Sequence, residues 1–238
     1  MLDVLFVATG GDTPSVVCYA VGAGGLGTAA WTADLPGQPA VLAVSPDARF
    51  LYVDLSAGGA GHQVHSFRLD PAGDPPQAVG QPAPIGPPPC FLATDRAGRF
   101  LLAAYYSDAL VTVHGIRADG AAGALVQRTA TARGAHCVLT DPGNRHVFVP
   151  HVAEENAIWQ FRFDPATGRL EPNTVPKASP GPGQGPRHLC FHPSGRLAFS
   201  NGEQGNTVTS WAYDAAAGEL AVIAELPRPA FRSQGDEP

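Results

Sequence analysis

The 238-residue chain is poor in charge, with 15 Lys plus Arg against 21 Asp plus Glu, a formal net charge of -6 and no cluster of basic residues. A nucleic-acid binder must neutralise a run of phosphates and carries a basic face to do so, so no nucleic-acid partner is expected. No stretch approaches the roughly 18 consecutive apolar residues of a membrane span. The opening MLDVLFVATGG has Asp3, no basic residue and too short an apolar run for a signal peptide. These absences predict a cytoplasmic chain without a membrane partner. Cysteine is scarce: Cys18, Cys90, Cys137 and Cys190 stand far apart in apolar runs with no CxxC, which predicts buried reduced thiols and neither a disulfide set nor a zinc site. No G-x-S-x-G elbow is present, which argues against a serine hydrolase of that kind. The glycine-rich pieces GAGGLG and SAGGAGH fall in turns instead of between a strand and a helix, so no dinucleotide or phosphate cradle is read from them. No segment holds apolar residues at i, i+3, i+4 and i+7 for long enough to make a helical fold.

What the chain has is punctuation and repetition. Gly and Pro number 28 and 24, interleaved with Val, Leu, Phe and Ala runs able to bury a core. Four segments repeat one pattern: SPDARFLYV from 45, TDRAGRFLLAAYY from 94, TDPGNRHVFVPHV from 140 and FHPSGRLAFSNGE from 191. Arg49, Arg99, Arg145 and Arg196 mark equivalent points, 50, 46 and 51 residues apart. Each unit reads as a strand, a polar turn and a second strand, then a loop, a third strand, another turn and a fourth strand. Four short antiparallel strands at that period predict an all-β fold, a β-propeller of four-stranded blades. LFVATGG, SVVCYAVG and GTAAWTADL supply the second to fourth strands of a first blade, and four full blades follow to about Leu226. The chain therefore covers just under five blades, an incomplete β-propeller over 1–227 followed by an irregular tail over 228–238. Exposed blade edges in such an arrangement predict possible self-association.

The common register selects candidate site residues. Nine positions before each marker arginine stand Ala40, Cys90, His136 and Arg187, at the starts of the innermost strands; seven positions after stand Ser56, Tyr106, Val152 and Glu203, at the ends of the second strands, with His151 one residue earlier in its unit. In a propeller, strand-one starts and strand-two ends meet on one face around the channel. His136, Arg187, His188, His151 and Glu203 are thus expected to converge, although alternation along a strand turns only one of Arg187 and His188 towards the channel. An arginine there is a donor fork for a carboxylate, a phosphate or an oxyanion. A neighbouring Glu203 or His136 would take a proton from water, and the spacing alone leaves open which. The same spacing equally fits a plain Arg187–Glu203 pair that holds two strands together. No short ligand spacing supports a metal among these histidines, and no cofactor is expected. His146 and His192 are read as solvated residues in turns of the opposite face.

GPRH at 185–188, SPDARFLYV, the AHCV…DPGNRHVFVP segment at 135–150 and EQGNTVTSWAYD at 203–214 resemble the propeller-type 6-phosphogluconolactonases, relatives of the carboxymuconate-lactonizing enzymes. The resemblance runs from about residue 4 to about 227. It implies a seven-bladed ring, cytoplasmic location, and hydrolysis of 6-phosphoglucono-1,5-lactone, a small sugar lactone of the pentose phosphate route, without a cofactor. The family's polar cluster falls on His136, Arg187 and Glu203 as catalytic residues, with His188, His151 and Asn201 beside them for substrate binding. Family members commonly place Asn directly before this Glu, whereas here the order is Asn201-Gly202-Glu203. The resemblance also implies about two further blades after Leu226-Pro227, one of them bringing another arginine to the site. A C-terminally truncated product with an open ring is therefore expected. Alternatives are a carboxymuconate-type lactonizing enzyme, or a propeller that only binds a partner or sugar at its mouth.

Overall fold

A computed structural model describes residues 3–56, 58–70 and 73–227; the tail expected at 228–238 lies outside them. The described strands form five antiparallel sheets in chain order. The first is three-stranded: β1 (Asp3–Thr9), β2 (Ser15–Gly22) and β3 (Gly25–Asp34). Four four-stranded sheets follow: β4 (Gln38–Val44), β5 (Phe50–Ser56), β6 (His62–Arg68) and β7 (Gln77–Gly86), then β8 (Phe91–Thr94), β9 (Phe100–Tyr105), β10 (Leu110–Ile116) and β11 (Ala122–Ala130). The fourth comprises β12 (Leu139–Thr140), β13 (His146–His151), β14 (Ala157–Asp164) and β15 (Arg169–Ala178), and the fifth β16 (Pro186–Phe191), β17 (Leu197–Gly202), β18 (Thr207–Asp214) and β19 (Glu219–Pro227). This is a propeller arrangement of blades, the first of them three-stranded among the described residues.

The marker arginines keep their register because of the turn in front of them. Asp95 and Asp141 are fully buried. Asp95 Oδ1 accepts from the backbone N–H of Arg99 at 2.6 Å and of Phe100 at 2.8 Å, and Asp141 Oδ1 accepts from Arg145 and His146, both at 2.7 Å. Ser45 Oγ accepts from the same two positions, Arg49 and Phe50, at 3.1 and 2.9 Å. A short polar side chain that satisfies its own downstream backbone closes the turn and starts the second strand at a fixed point. The second strands then supply the core: β9 and β13 are buried along their whole length.

The core lies between sheets instead of inside one. Leu51, Val53 and Leu55 pack with Val16 across the first junction, Tyr52 and Val64 with Leu101 and Tyr105 across the second. Leu102 and Val113 meet Val147 and Phe161 across the third, and Phe148 and Ile158 meet Ala198 and Trp211 across the fourth. Each side chain of this size contributes about 1.5–3 kcal/mol on burial, which a single sheet could not collect on both faces.

Two expectations are corrected. His146 is buried, not solvated: it opens β13, and Tyr213 Oη lies 3.3 Å from its Nδ1 across the next junction. His192 does lie exposed in its turn. Cys190 is exposed and Cys90 half-buried, so only Cys18 and Cys137 are the buried thiols expected of all four. Alternation along β16 sends Cys190 to the side opposite buried Leu189. The innermost strand of the fourth blade keeps only two residues in the ladder, because its chain from Ala135 joins β13 by an isolated bridge, Ala135 to His151.

Candidate active site

The loop GPGQGPRH is fastened to the turn after β17, and this fastening places the arginine. Gly185 O accepts from Glu203 N at 2.8 Å, and Gln184 O accepts from Gln204 N and Gly205 N at 3.2 and 3.1 Å. Gly185 has φ +63° and lies so close to the Gln204 side chain that a Cβ would overlap it, which is why this position carries no side chain. Asn156 from the neighbouring blade holds the other side of the loop, accepting from Gly185 N at 2.7 Å and donating to Gly181 O at 3.0 Å. The blade register is confirmed by the same bond one blade earlier, where Val152 N donates to Gly134 O at 3.0 Å.

Arg187, His136 and Glu203 meet. Arg187 Nε donates to His136 Nε2 at 3.1 Å, and Glu203 Oε2 closes an ion pair with the same nitrogen at 2.9 Å. Neither terminal nitrogen of the guanidinium has a hydrogen-bond partner among the described residues. The Arg187 and Glu203 side chains are 40% and 41% exposed, open enough for a ligand to reach both. Gln204 Nε2 donates to Glu203 Oε1 at 3.2 Å, while its own Oε1 accepts from Ala153 N of the preceding blade. Because His136 accepts on Nε2, its ring proton sits on Nδ1, a buried atom without a partner among the described residues. Burial first and the Arg187 charge second lower the His136 pKa, which keeps the ring neutral and able to accept.

His188 joins this cluster as well, and alternation along the strand does not keep it away. The pairing of β16 with β17 shifts register between Pro186 and His188, and Asn201 Oδ1 fills the gap by accepting from His188 N at 2.9 Å. This bulge lets consecutive side chains reach one target: the His188 ring lies 5.3 Å from that of His136, edge to face. Asn201 thus supports the backbone under the cluster. Burial and the nearby Arg187 and His136 also lower the His188 pKa.

His151 is not brought to the others. Its Nδ1–H donates to Val149 O at 2.8 Å, its ring packs 5.4 Å from Trp159, and it is fully buried with Nε2 unpartnered among the described residues. It lies in the ladder opposite Ala157, and Val152 occupies the position that Glu203 takes one blade later. Two aromatic walls were not singled out from the sequence. Tyr106 meets His136 edge to face at 5.9 Å, and Phe91 lies 5.7 Å from His188. The seven-residue count that selected Glu203 also lands on Tyr106, so the signal was present and only the residue type hid it. Cys90 lines the same region, but burial pushes its thiol up to about 11, so it is no nucleophile near neutral pH.

The model of the family described as "Lactonase, 7-bladed beta-propeller" matches residues 14–235. A 6-phosphogluconolactonase of Pectobacterium carotovorum subsp. carotovorum (strain PC1) is 34% identical over 226 residues, 95% of this chain and 66% of that protein. One from Pectobacterium atrosepticum is 32% identical over the same shares. The chain thus spans 66% of the length of these relatives. Among solved structures, the periplasmic gluconolactonase of Pseudomonas aeruginosa superposes with a TM-score of 0.81 at 25% identity, over 98% of this chain and 70% of that one.

Proposed function

The chain belongs to the lactonase family of seven-bladed β-propellers, and from that premise we propose that it hydrolyses a sugar lactone, 6-phosphoglucono-1,5-lactone, to the open acid. One observation carries the reading: Arg187 is held through Nε by His136 and Glu203, while its two terminal nitrogens have no hydrogen-bond partner among the described residues. Preorganised donors aimed at developing charge are the main device for stabilising a tetrahedral oxyanion. In the proposed reaction, Glu203 takes a proton from water as the water oxygen bonds to the lactone carbonyl carbon. The terminal N–H groups of Arg187 hold the resulting oxyanion. The bond from that carbon to the ring oxygen then breaks, and the proton passes from Glu203 to the departing ring oxygen. His136 is a positioning residue here, since its only free lone pair is already spent on Arg187 Nε–H.

The phosphate on the substrate is supported by the names of the curated relatives and not by a group in this cluster. A cytoplasmic reaction, as a step of the pentose phosphate route, is the reading that goes with this substrate, since a phosphorylated sugar does not cross a lipid bilayer unaided. No helix of the described residues is long and apolar enough to span a membrane. Self-association through sheet faces of the first and fifth blades is supported by exposed Leu26, Ile223 and Leu226.

The test is lactone opening measured above the spontaneous rate for wild type, Arg187→Ala, Glu203→Gln, His136→Leu and His136→Gln. Losing the general base or the oxyanion donor lowers kcat about 100-fold or more. His136→Gln, which retains an acceptor, keeps more activity than His136→Leu. Full activity in both Arg187→Ala and Glu203→Gln would sink the proposal. Turnover of a carboxymuconate-type lactone in preference to the sugar lactone would move it to the related diacid chemistry.

A further inference from the structure

Three junctions carry a marker arginine, Arg49, Arg99 or Arg145, and the last two of these are built alike. Arg99 Nη2 donates to Ala166 O at 3.2 Å in the next blade's outer hairpin turn, and Arg145 Nη2 donates to Ala215 O at 3.0 Å in the equivalent turn beyond it. In those turns Gly168 and Gly218 bond back to Asp164 and Asp214, four residues earlier, at 2.7 Å each. The turn that faces Arg49 closes one residue tighter: Gly120 N donates to Arg117 O at 2.9 Å. Gly120 still lies against the Phe50 ring with φ +88°, where a Cβ would overlap that ring, and Tyr52 Oη donates to its carbonyl at 2.9 Å. The shorter turn brings no carbonyl to the Arg49 guanidinium. It also puts Arg117 where the other turns carry an aspartate, reversing the charge at that point.

The result is a groove of about 560 Å³ on the face opposite the Arg187 cluster, lined by Arg49, Arg68, Arg96 and Arg117 against two carboxylates, Asp47 and Asp119. Arg117 forks onto Asp119 at 3.3 and 3.2 Å, and its guanidinium is wedged against Gly80. Arg49 makes only a loose 3.9 Å pair with Asp47. Arg49 and Arg68 both lie 5.6 Å from the centre of the Phe50 ring, and the Arg68 guanidinium has no hydrogen-bond or ion-pair partner among the described residues. Arg96 Nη2 donates to Thr140 O at 3.4 Å, its one side-chain hydrogen bond among the described residues. Four of the 15 cationic side chains of a chain with net charge -6 therefore share one concavity with two positive charges uncompensated.

We infer that this groove is a second, anion-binding site whose ligand is a phosphate dianion, either free or as a phosphomonoester. A dianion matches the excess of two charges, and guanidinium forks suit tetrahedral oxyanions. The site is separate from the lactone-opening cluster and does not depend on that reading.

The test is calorimetric titration of the full chain carrying Arg187→Gln, which disables the other cluster, with inorganic phosphate and with glycerol phosphate at constant ionic strength. One saturable site is expected, weakening as salt is raised and at least tenfold weaker when Arg68→Gln is added. Arg49→Gln is the second variant, removing a guanidinium held by a single loose pair, with circular dichroism checking the fold of each. Tighter binding of the ester identifies an organic phosphate, and equal binding identifies the free anion. Absence of saturable binding in the Arg187→Gln chain overturns the inference, as does binding unaffected by both further substitutions.

Discussion

His151 shows how a residue chosen for one role serves another. Its Nδ1–H is spent on Val149 O and its Nε2 is buried without a partner, so a second proton on this ring has no acceptor. Burial lowers its pKa to about 4. The unfolded chain binds that proton near pH 6.5 and the folded chain only near 4, so the unfolded state holds more protons between them. Stability supplied by the neutral ring is complete above pH 6.5 and is lost as pH falls towards 4, in total about 3 kcal/mol. Buried Asp54, raised by burial to about 6 beside His62, acts in the opposite sense over part of this range. The difference between wild type and His151→Gln isolates the histidine: denaturant unfolding across pH 7 to 4.5 will show a shallower acid loss in the variant. Equal slopes would mean that the ring protonates without penalty.

At the scale of the element, the turn between the first and second strands of a blade is the recurring unit of construction. Asp141 is fully buried and accepts from three backbone N–H groups, of Gly143 at 2.9 Å and of Arg145 and His146 at 2.7 Å. Asp141→Ala leaves those donors unsatisfied, and each unpaired buried group costs about 1–3 kcal/mol. The expected result is a loss of at least about 2 kcal/mol, seen as a lower urea midpoint with an unchanged slope, while Asp141→Asn keeps an acceptor oxygen and loses less. A variant with alanine as stable as wild type would show that water replaces the carboxylate there. The bulge between Pro186 and His188 is the other element with a local effect of this kind, since without it Arg187 and His188 would point to opposite sides of the sheet.

Across the whole molecule, stability is shared between neighbouring sheets, so blades with a packed sheet on either side are held harder. Strands β9 and β13 are wholly buried, whereas β1 and β3 are largely exposed along their length. Local opening follows buried contact. Amide hydrogen exchange is therefore expected to be slowest in β9 and β13 and fastest in β1 and β3. Equal protection throughout would indicate a single cooperative unit.

The repeat of turn aspartates, marker arginines and alternating strands was legible in the sequence, because turn closure and strand patterning act within about ten residues. So was the pairing of register positions that joins His136, Arg187 and Glu203. Residue spacing by itself could not say which lone pair each group had left: that His136 spends its acceptor on Arg187, that a bulge brings His188 in, or that His151 turns to Trp159 instead. Nor could it show that one turn, shorter by a residue, frees Arg49 and gathers three more guanidiniums beside it. Those outcomes depend on the adjacent blade, whose residues are some 50 positions away in the chain and become neighbours only when the sheets pack.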